Sequence, residues 1–210
     1  MGLSARDEIL GRIRSALDGA PPAAAIPRDY RQACAPVDFN PVERFCERVA
    51  DYDAVVHRVR ERELEGALAE TCREHGAVRL AIPSELPWFP AGVELVSDDP
   101  PLGPRDLDAL DGVLSGCAVA IAETGTIVLI GGGVSGRRAL TLVPDLHLCV
   151  VRADQVVPAV PDAVAAVAGP VAEGRPVTFV SGPSATADIE LERVQGVHGP
   201  RRLDVFVVGG

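Results

Sequence analysis

Side chains able to hold an anion or move a proton crowd into one stretch of this chain, Ser181 to Pro200, SGPSATADIELERVQGVHGP. Ser181, Ser184 and Thr186 offer hydroxyls, Asp188 and Glu190 carboxylates, and His198 an imidazole. Gly182-Pro183 and Gly199-Pro200 frame them. The hydroxyls and amides of Ser181-Gly182-Pro183-Ser184 can present themselves to a carboxylate or phosphate. His198 can pair with Asp188 or Glu190, because a neighbouring carboxylate holds imidazole in one tautomer. Two plainer readings stand beside these: Asp188 as a helix cap, and the whole stretch as a polar crossover loop.

A further carboxylate stands at Glu123, where the apolar run Cys117–Ala122 gives way to Thr124, Gly125 and Thr126. A glutamate there can act as nucleophile or general base; a solvated turn residue is the alternative. Gly131 to Gly136 matches GxGxxG after a strand, yet Pro144 follows closely and no helical periodicity appears. Without a helix the amides that bind pyrophosphate are missing, which excludes a Rossmann nucleotide site. Arg137 and Arg138 still allow a glycine-rich anion loop, or a plain surface loop. His147 with Cys149, and Cys72 with His75, each have the spacing of half a zinc site but no second half. No metal site is expected.

These groups need a scaffold. Pro176–Val180 and Leu203–Val208 read as buried strands on either side of the polar stretch. Asn40-Pro41 is a cap with proline at the first helical turn, opening a helix to about Ala50. A strand over 54–59, a helix over 61–75 ending at Gly76, and short strands at Val78–Ile82 and Val93–Val96 follow. This alternation points to a mostly parallel sheet covered by helices. Cys117–Ala122 and Thr126–Ile130 lie too close for a parallel crossover and must form an antiparallel hairpin. Leu146–Val151 reads as a strand and 154–168 as a helix. At the start of the chain Ser4 caps a helix with Ile9, Leu10, Ile13 and Leu17 on one face, followed by a Pro-rich linker. The expected fold is one α/β domain over 40–210, with a mixed, largely parallel sheet flanked by helices, preceded by a helical arm and linker over 1–39.

Composition narrows the function. All 20 basic residues are arginine, so Schiff-base lysine chemistry and a P-loop lysine are excluded. A net charge of −10 argues against a nucleic-acid partner. No apolar run approaches the roughly 20 residues that span a bilayer, and the N-terminus lacks a signal-peptide core, which points to the cytoplasm. The five cysteines, at 34, 46, 72, 117 and 149, contain no CxxC pair. An iron–sulfur cluster carried by this chain alone is therefore not expected.

GPSATADIE and GVHGPRRL resemble the C-terminal signature of the lactate-utilisation protein C family, the small LUD-domain proteins. AETGTIVL at 122–129, LTLVPDLHLCVV at 140–151 and the opening SARDEILGRIRSAL are similar to other parts of the same family. The resemblance implies a fold of the sugar-phosphate isomerase and CoA-transferase type. It also implies an accessory role in oxidising L-lactate to pyruvate, beside partner proteins that carry iron–sulfur clusters. Glu123-Thr124-Gly125 resembles the glutamate–asparagine–glycine turn of CoA transferases, with threonine in place of asparagine. An independent enzyme of that type using Glu123, and a non-catalytic interaction module, stay open as alternatives. If the fold is of this type, residues 123–126 and the loop after Ser181 meet at one end of a sheet, with His198 on the rim. Glu123 and His198 are then the candidate catalytic residues. Thr124, Gly125, Thr126, Ser181–Ser184, Thr186, Asp188, Glu190 and Gly199 are the candidate ligand contacts, for a small carboxylate or phosphorylated ligand.

Overall fold

Two glycine-tight turns abut one short helix and the turn that follows it. In the computed structural model, which describes residues 4–19, 24–30, 38–186, 194–196 and 198–209, this helix is α2 (Pro41–Ala50). Asn40 caps it, its side-chain oxygen accepting from the amides of Val42 and Glu43. The chain divides into two units, Met1–Arg31 and Gln32–Gly210. The first contains α1 (Ala5–Leu17), capped by Ser4, on which Ile9, Ile13 and Leu17 are exposed.

The second unit continues with β1 (Val55–Val59), α3 (Leu64–His75), β2 (Arg79–Ile82), β3 (Glu94–Ser97), α4 (Pro104–Asp108) and β4 (Gly112–Gly116). Next come β5 (Val119–Ile121), β6 (Thr126–Ile130), β7 (Leu146–Arg152), β8 (Val156–Val157) and α5 (Val160–Ala172). β9 (Val177–Val180), β10 (Ala185–Thr186), β11 (Val194–Gln195) and β12 (Arg202–Val208) complete it. Six strands form a wholly parallel sheet in the order β1-β12-β7-β4-β2-β3. Its central strands are buried on both faces, so they read as near-continuous Leu and Val runs. The hairpin expected at 117–130 is β5–β6, but it does not join this sheet. It forms a second sheet, β8-β5-β6-β9, whose β6 is antiparallel to both neighbours. Mixed pairing is thus confined to the smaller sheet.

Layering follows from which side chains alternate to which face. Leu80, Leu114, Leu148 and Phe206 pack under Leu64, Leu68 and Cys72 of α3. Cys149, Val205 and Val207 turn to the other face and meet Phe45 and Val49 of α2 with Ala120 and Ile127 of the second sheet. α5 then covers Val119, Ile121 and Val128 with Ala163 and Val167. Phe45 has no accessible surface; truncating such a phenylalanine to alanine costs about 3–5 kcal/mol. Gly125 and Gly182, at φ +62° and +88°, lie where a Cβ would collide with α2 or the turn after it. It would come 2.5 Å from the Arg48 carbonyl carbon in the first case and 2.6 Å from Tyr52 Cβ in the second.

One charge sits inside this apolar frame. Asp204, 2% exposed, accepts from His57 Nε2 at 2.8 Å and from His75 Nε2 at 3.0 Å. Arg202 donates to His75 Nδ1 at 3.3 Å. His57 also stacks on Phe206 with centroids 4.5 Å apart. The carboxylate therefore ties edge strand β1 and the end of α3 to β12. No helix among the described residues is long and apolar enough to cross a membrane.

Candidate functional site

The register of β6 against β9 decides what meets at the end of the second sheet. Ile127 lies opposite Val180, so the next residue outward on each strand, Thr126 and Ser181, come together. Thr126 Oγ1 is 2.7 Å from Ser181 Oγ and 2.7 Å from Thr124 Oγ1, a chain of three hydroxyls. β5 and β9 are both antiparallel to β6, so Glu123 and Ser181 leave their strands at the same end. The turn at 123–126 and the loop after Ser181 do meet there.

The loop folds back on itself. β10 pairs with β11, and the Ser184 amide donates to the Pro200 carbonyl at 2.8 Å. Ser184 Oγ accepts from the His198 amide at 3.1 Å. Between this folded loop and the starts of β7 and β12 lies a cavity of about 210 Å³, lined among others by Ser181, Ser184, His198, Arg138, Thr141 and His147. Gly182, Pro183 and Gly199 line it too. Glu123 does not: its side chain is exposed, and its amide donates to the Pro158 carbonyl. Asp188 and Glu190 lie outside the described residues, and of Thr186 only the backbone is described.

The two adjacent arginines have different fates. Arg137 is taken up by Asp98, with Nε 2.6 Å from Oδ2 and Nη2 2.8 Å from Oδ1, and it also donates to the Leu102 carbonyl. A forked pair of this kind leaves Arg137 little to offer a ligand. Arg138 is exposed, faces the cavity and forms no ion pair among the described residues. The loop before them makes a 3₁₀ turn, Gly133–Ser135, closed by a bridge between Gly132 and Gly136. It does not open an α-helix, in line with the exclusion of a dinucleotide fingerprint.

His147 was legible only as half a zinc site; the structure makes it the floor of the cavity. It is 2% exposed, with Nε2 2.8 Å from Ser115 Oγ. Cys149, two residues on, faces the same way toward Cys117, whose thiol is held well above its usual range by its hydrogen bond with Cys149 and by burial. Cys72 is buried between α3 and the sheet while His75 is bonded to Asp204, so these two do not form a joint ligand pair. No group of three His, Cys, Asp or Glu able to hold a metal ion occurs among the described residues.

The cavity lies over the amino ends of β7 and β12, not the carboxyl edge where parallel sheets gather ligands. The reason is that β9, which delivers Ser181 at its carboxyl end, belongs to the second sheet.

Comparison with known proteins places this architecture. The LUD-domain family model matches residues 104–208. A lactate utilization protein C of Deinococcus radiodurans is 47% identical over 207 residues, 98% of this chain and 96% of that protein. A protein of the same name from Geobacillus kaustophilus is 30% identical over 166 residues, 70% of this chain and 69% of the other. The crystal structure of a DUF162 family protein from Deinococcus radiodurans superposes with a TM-score of 0.71 at 46% identity, covering 80% of this chain and 96% of that one. This chain belongs to the LUD-domain family.

Proposed function

We propose that this protein is an accessory subunit of a lactate-utilisation system that oxidises L-lactate to pyruvate with iron–sulfur partner proteins, and that its cavity receives the carboxylate of a small 2-hydroxy or 2-oxo acid. The observation that carries the ligand reading is Arg138. A guanidinium with five donors and no carboxylate partner among the described residues faces a small cavity rich in hydroxyls. Ser181 and Ser184 carry hydroxyls suited to a 2-oxygen, and His198 stands at the rim as the group able to exchange a proton. The role in lactate utilisation is supported by the names of the relatives. Electrons leave through the partners' clusters in this scheme, because the cysteines here lack the close spacing of a cluster motif.

A charge-assisted guanidinium–carboxylate contact contributes about 1.5–3 kcal/mol, or roughly 10- to 100-fold in Kd. Calorimetric titration of the purified protein with L-lactate, pyruvate and propionate tests this. Arg138→Leu is expected to lose at least tenfold in affinity for the first two, and propionate, lacking the 2-oxygen, to bind more weakly than lactate. Equal affinities in parent and variant would exclude the site. In a deletion strain growing on lactate, the parent gene is expected to restore growth and Arg138→Leu to fail. Glu123→Gln should restore it fully, since Glu123 stands outside the cavity; failure of Glu123→Gln would favour the CoA-transferase type of chemistry instead.

A further inference from the structure

The cavity holds one polar atom that the carboxylate reading leaves unused, and it belongs to His147. β7 places this residue between Leu203 of β12 and Val113 of β4, at the amino end of the parallel sheet. The side chain is 2% exposed and lines the cavity together with Arg138 and Leu203. Its Nε2 is committed to Ser115 Oγ at 2.8 Å. Cys149 lies opposite Ser115 in the β4–β7 register, so its thiol meets the ring and the hydroxyl at that same end. Nδ1 has no hydrogen-bond partner among the described residues. No side-chain nitrogen or oxygen there is both buried and unpartnered, so Nδ1 keeps an opening, and the opening is to the cavity. The neighbouring hydroxyls are already engaged. Ser181 Oγ is 2.7 Å from Thr126 Oγ1, Thr141 donates to the Arg138 carbonyl at 3.5 Å, and Ser184 Oγ accepts from the His198 amide at 3.1 Å.

What backs an imidazole decides what it can offer on its other side. His57 and His75 turn Nε2 to the Asp204 carboxylate at 2.8 and 3.0 Å. A carboxylate only accepts, so it fixes the proton on the nitrogen that faces it. Ser115 is a hydroxyl, and by turning its O–H it can donate to Nε2 or accept from it. Nδ1 is thus a donor in one tautomer and an acceptor in the other. A 2-hydroxy acid presents an O–H that needs an acceptor, whereas the matching 2-oxo acid presents a carbonyl that needs a donor. A hydroxyl-backed imidazole meets both from one position; a guanidinium cannot, because it only donates. Beside Leu203 and Val180 an unused polar nitrogen is costly, which favours a ligand oxygen at Nδ1.

We infer that His147 is a ligand-contacting residue of the cavity, its Nδ1 hydrogen-bonding the 2-oxygen of the acid whose carboxylate Arg138 receives. Ser115 is the positioning residue that lets the ring serve the hydroxyl and the carbonyl forms alike. The inference rests on the ligand reading above and adds to it the group that recognises the 2-oxygen.

Two substitutions divide the ring, since asparagine carries its amide where Nδ1 lies and glutamine where Nε2 lies. Calorimetry on the full chain is expected to show His147→Gln about tenfold weaker for L-lactate and pyruvate, the effect of one lost hydrogen bond. Propionate, which lacks the 2-oxygen, should bind His147→Gln as it binds the parent. His147→Asn should stay within about threefold of the parent for all three acids. A merely structural role predicts otherwise: all three acids weakened alike, or asparagine more harmful than glutamine because the Ser115 contact is gone. Either result would overturn the inference. The parent protein gives a readout that no failure of a variant to fold can remove. Nitrogen NMR resolves the rings of its four histidines, with His147 assigned by its proximity to Ser115. Pyruvate should move the His147 Nδ1 resonance, and propionate should move it much less. Saturable pyruvate binding that leaves this resonance in place overturns the inference while the Arg138 reading stands. A parent protein that binds neither lactate nor pyruvate overturns both.

Discussion

Replacing Asp204 by alanine should test how much of the domain's stability depends on one buried carboxylate. Asp204 accepts two imidazole N–H groups, at 2.8 and 3.0 Å, and is almost without solvent contact. Hydrogen bonds to a charged group contribute about 1.5–3 kcal/mol each, which sets an upper range of about 3–6 kcal/mol for the pair. The imidazoles are 25% and 22% exposed, so water can recover part of this after truncation. A net loss of about 2–4 kcal/mol remains. Urea denaturation should show a lower midpoint with an unchanged slope, because the surface exposed on unfolding stays the same. Asp204→Asn keeps the volume and one acceptor and should lose about half as much. His57→Phe retains a ring against Phe206 while deleting one bond to Asp204, so it should be non-additive with Asp204→Ala. An Asp204→Ala protein within about 0.5 kcal/mol of the parent, the range of an ordinary surface substitution, would show that the bracket does not hold β1 and α3 to the sheet.

Three further outcomes follow from the same structure. Gly125→Ala combines a left-handed backbone, at about 1–2 kcal/mol for a side-chain-bearing residue, with overpacking against α2 at about 1–3 kcal/mol. A loss of about 2–5 kcal/mol in a thermal or urea melt is expected, and a neutral result would mean that α2 can shift away from the turn. Burial, followed by the charge of Asp204, pushes the Cys72 thiol up to about 11 from 9.0. At about pH 8 its alkylation in the folded protein should be at least 100-fold slower than in urea, since only the thiolate reacts; peptide mass mapping reads this. The same shift sets a sign for stability. The unfolded chain releases this proton at lower pH than the folded one, so stability should fall as pH rises from about 9 to 11.

Much of this frame could be read from residue patterns, and the exceptions have physical causes. Strands β7 and β12 announce themselves because both their faces are buried, which calls for near-continuous apolar runs. The hairpin turn at Glu123-Thr124-Gly125 follows from loop length alone. β4, GVLSG, does not announce itself, since glycine and serine are weak strand formers. Its glycine is nonetheless required: a Cβ on Gly112 would lie 2.8 Å from the Leu146 carbonyl oxygen. The helix expected over 154–168 begins only at Val160 and runs on to Ala172, because a 3₁₀ turn and β8 take up the residues before Pro158. At the cavity, local sequence could not separate Arg137 from Arg138. Asp98, 39 positions earlier, takes the first and leaves the second.

Asp204 marks where pattern reading stops. A carboxylate inside LDVFVV violates the apolar run, and burial of an unpaired charge is costly enough that partners must exist. The need for partners is thus legible from one residue. Their identity is not, because His57 and His75 reach Asp204 only after β1 takes the edge beside β12 and α3 crosses its face. The same holds for His147: alternation puts it on one side of β7 with Cys149. Only the crossing of β5 and β6 into a second sheet determines that this side becomes the floor of a cavity. In this fold, placing the chemistry depends on knowing which strands leave the parallel sheet.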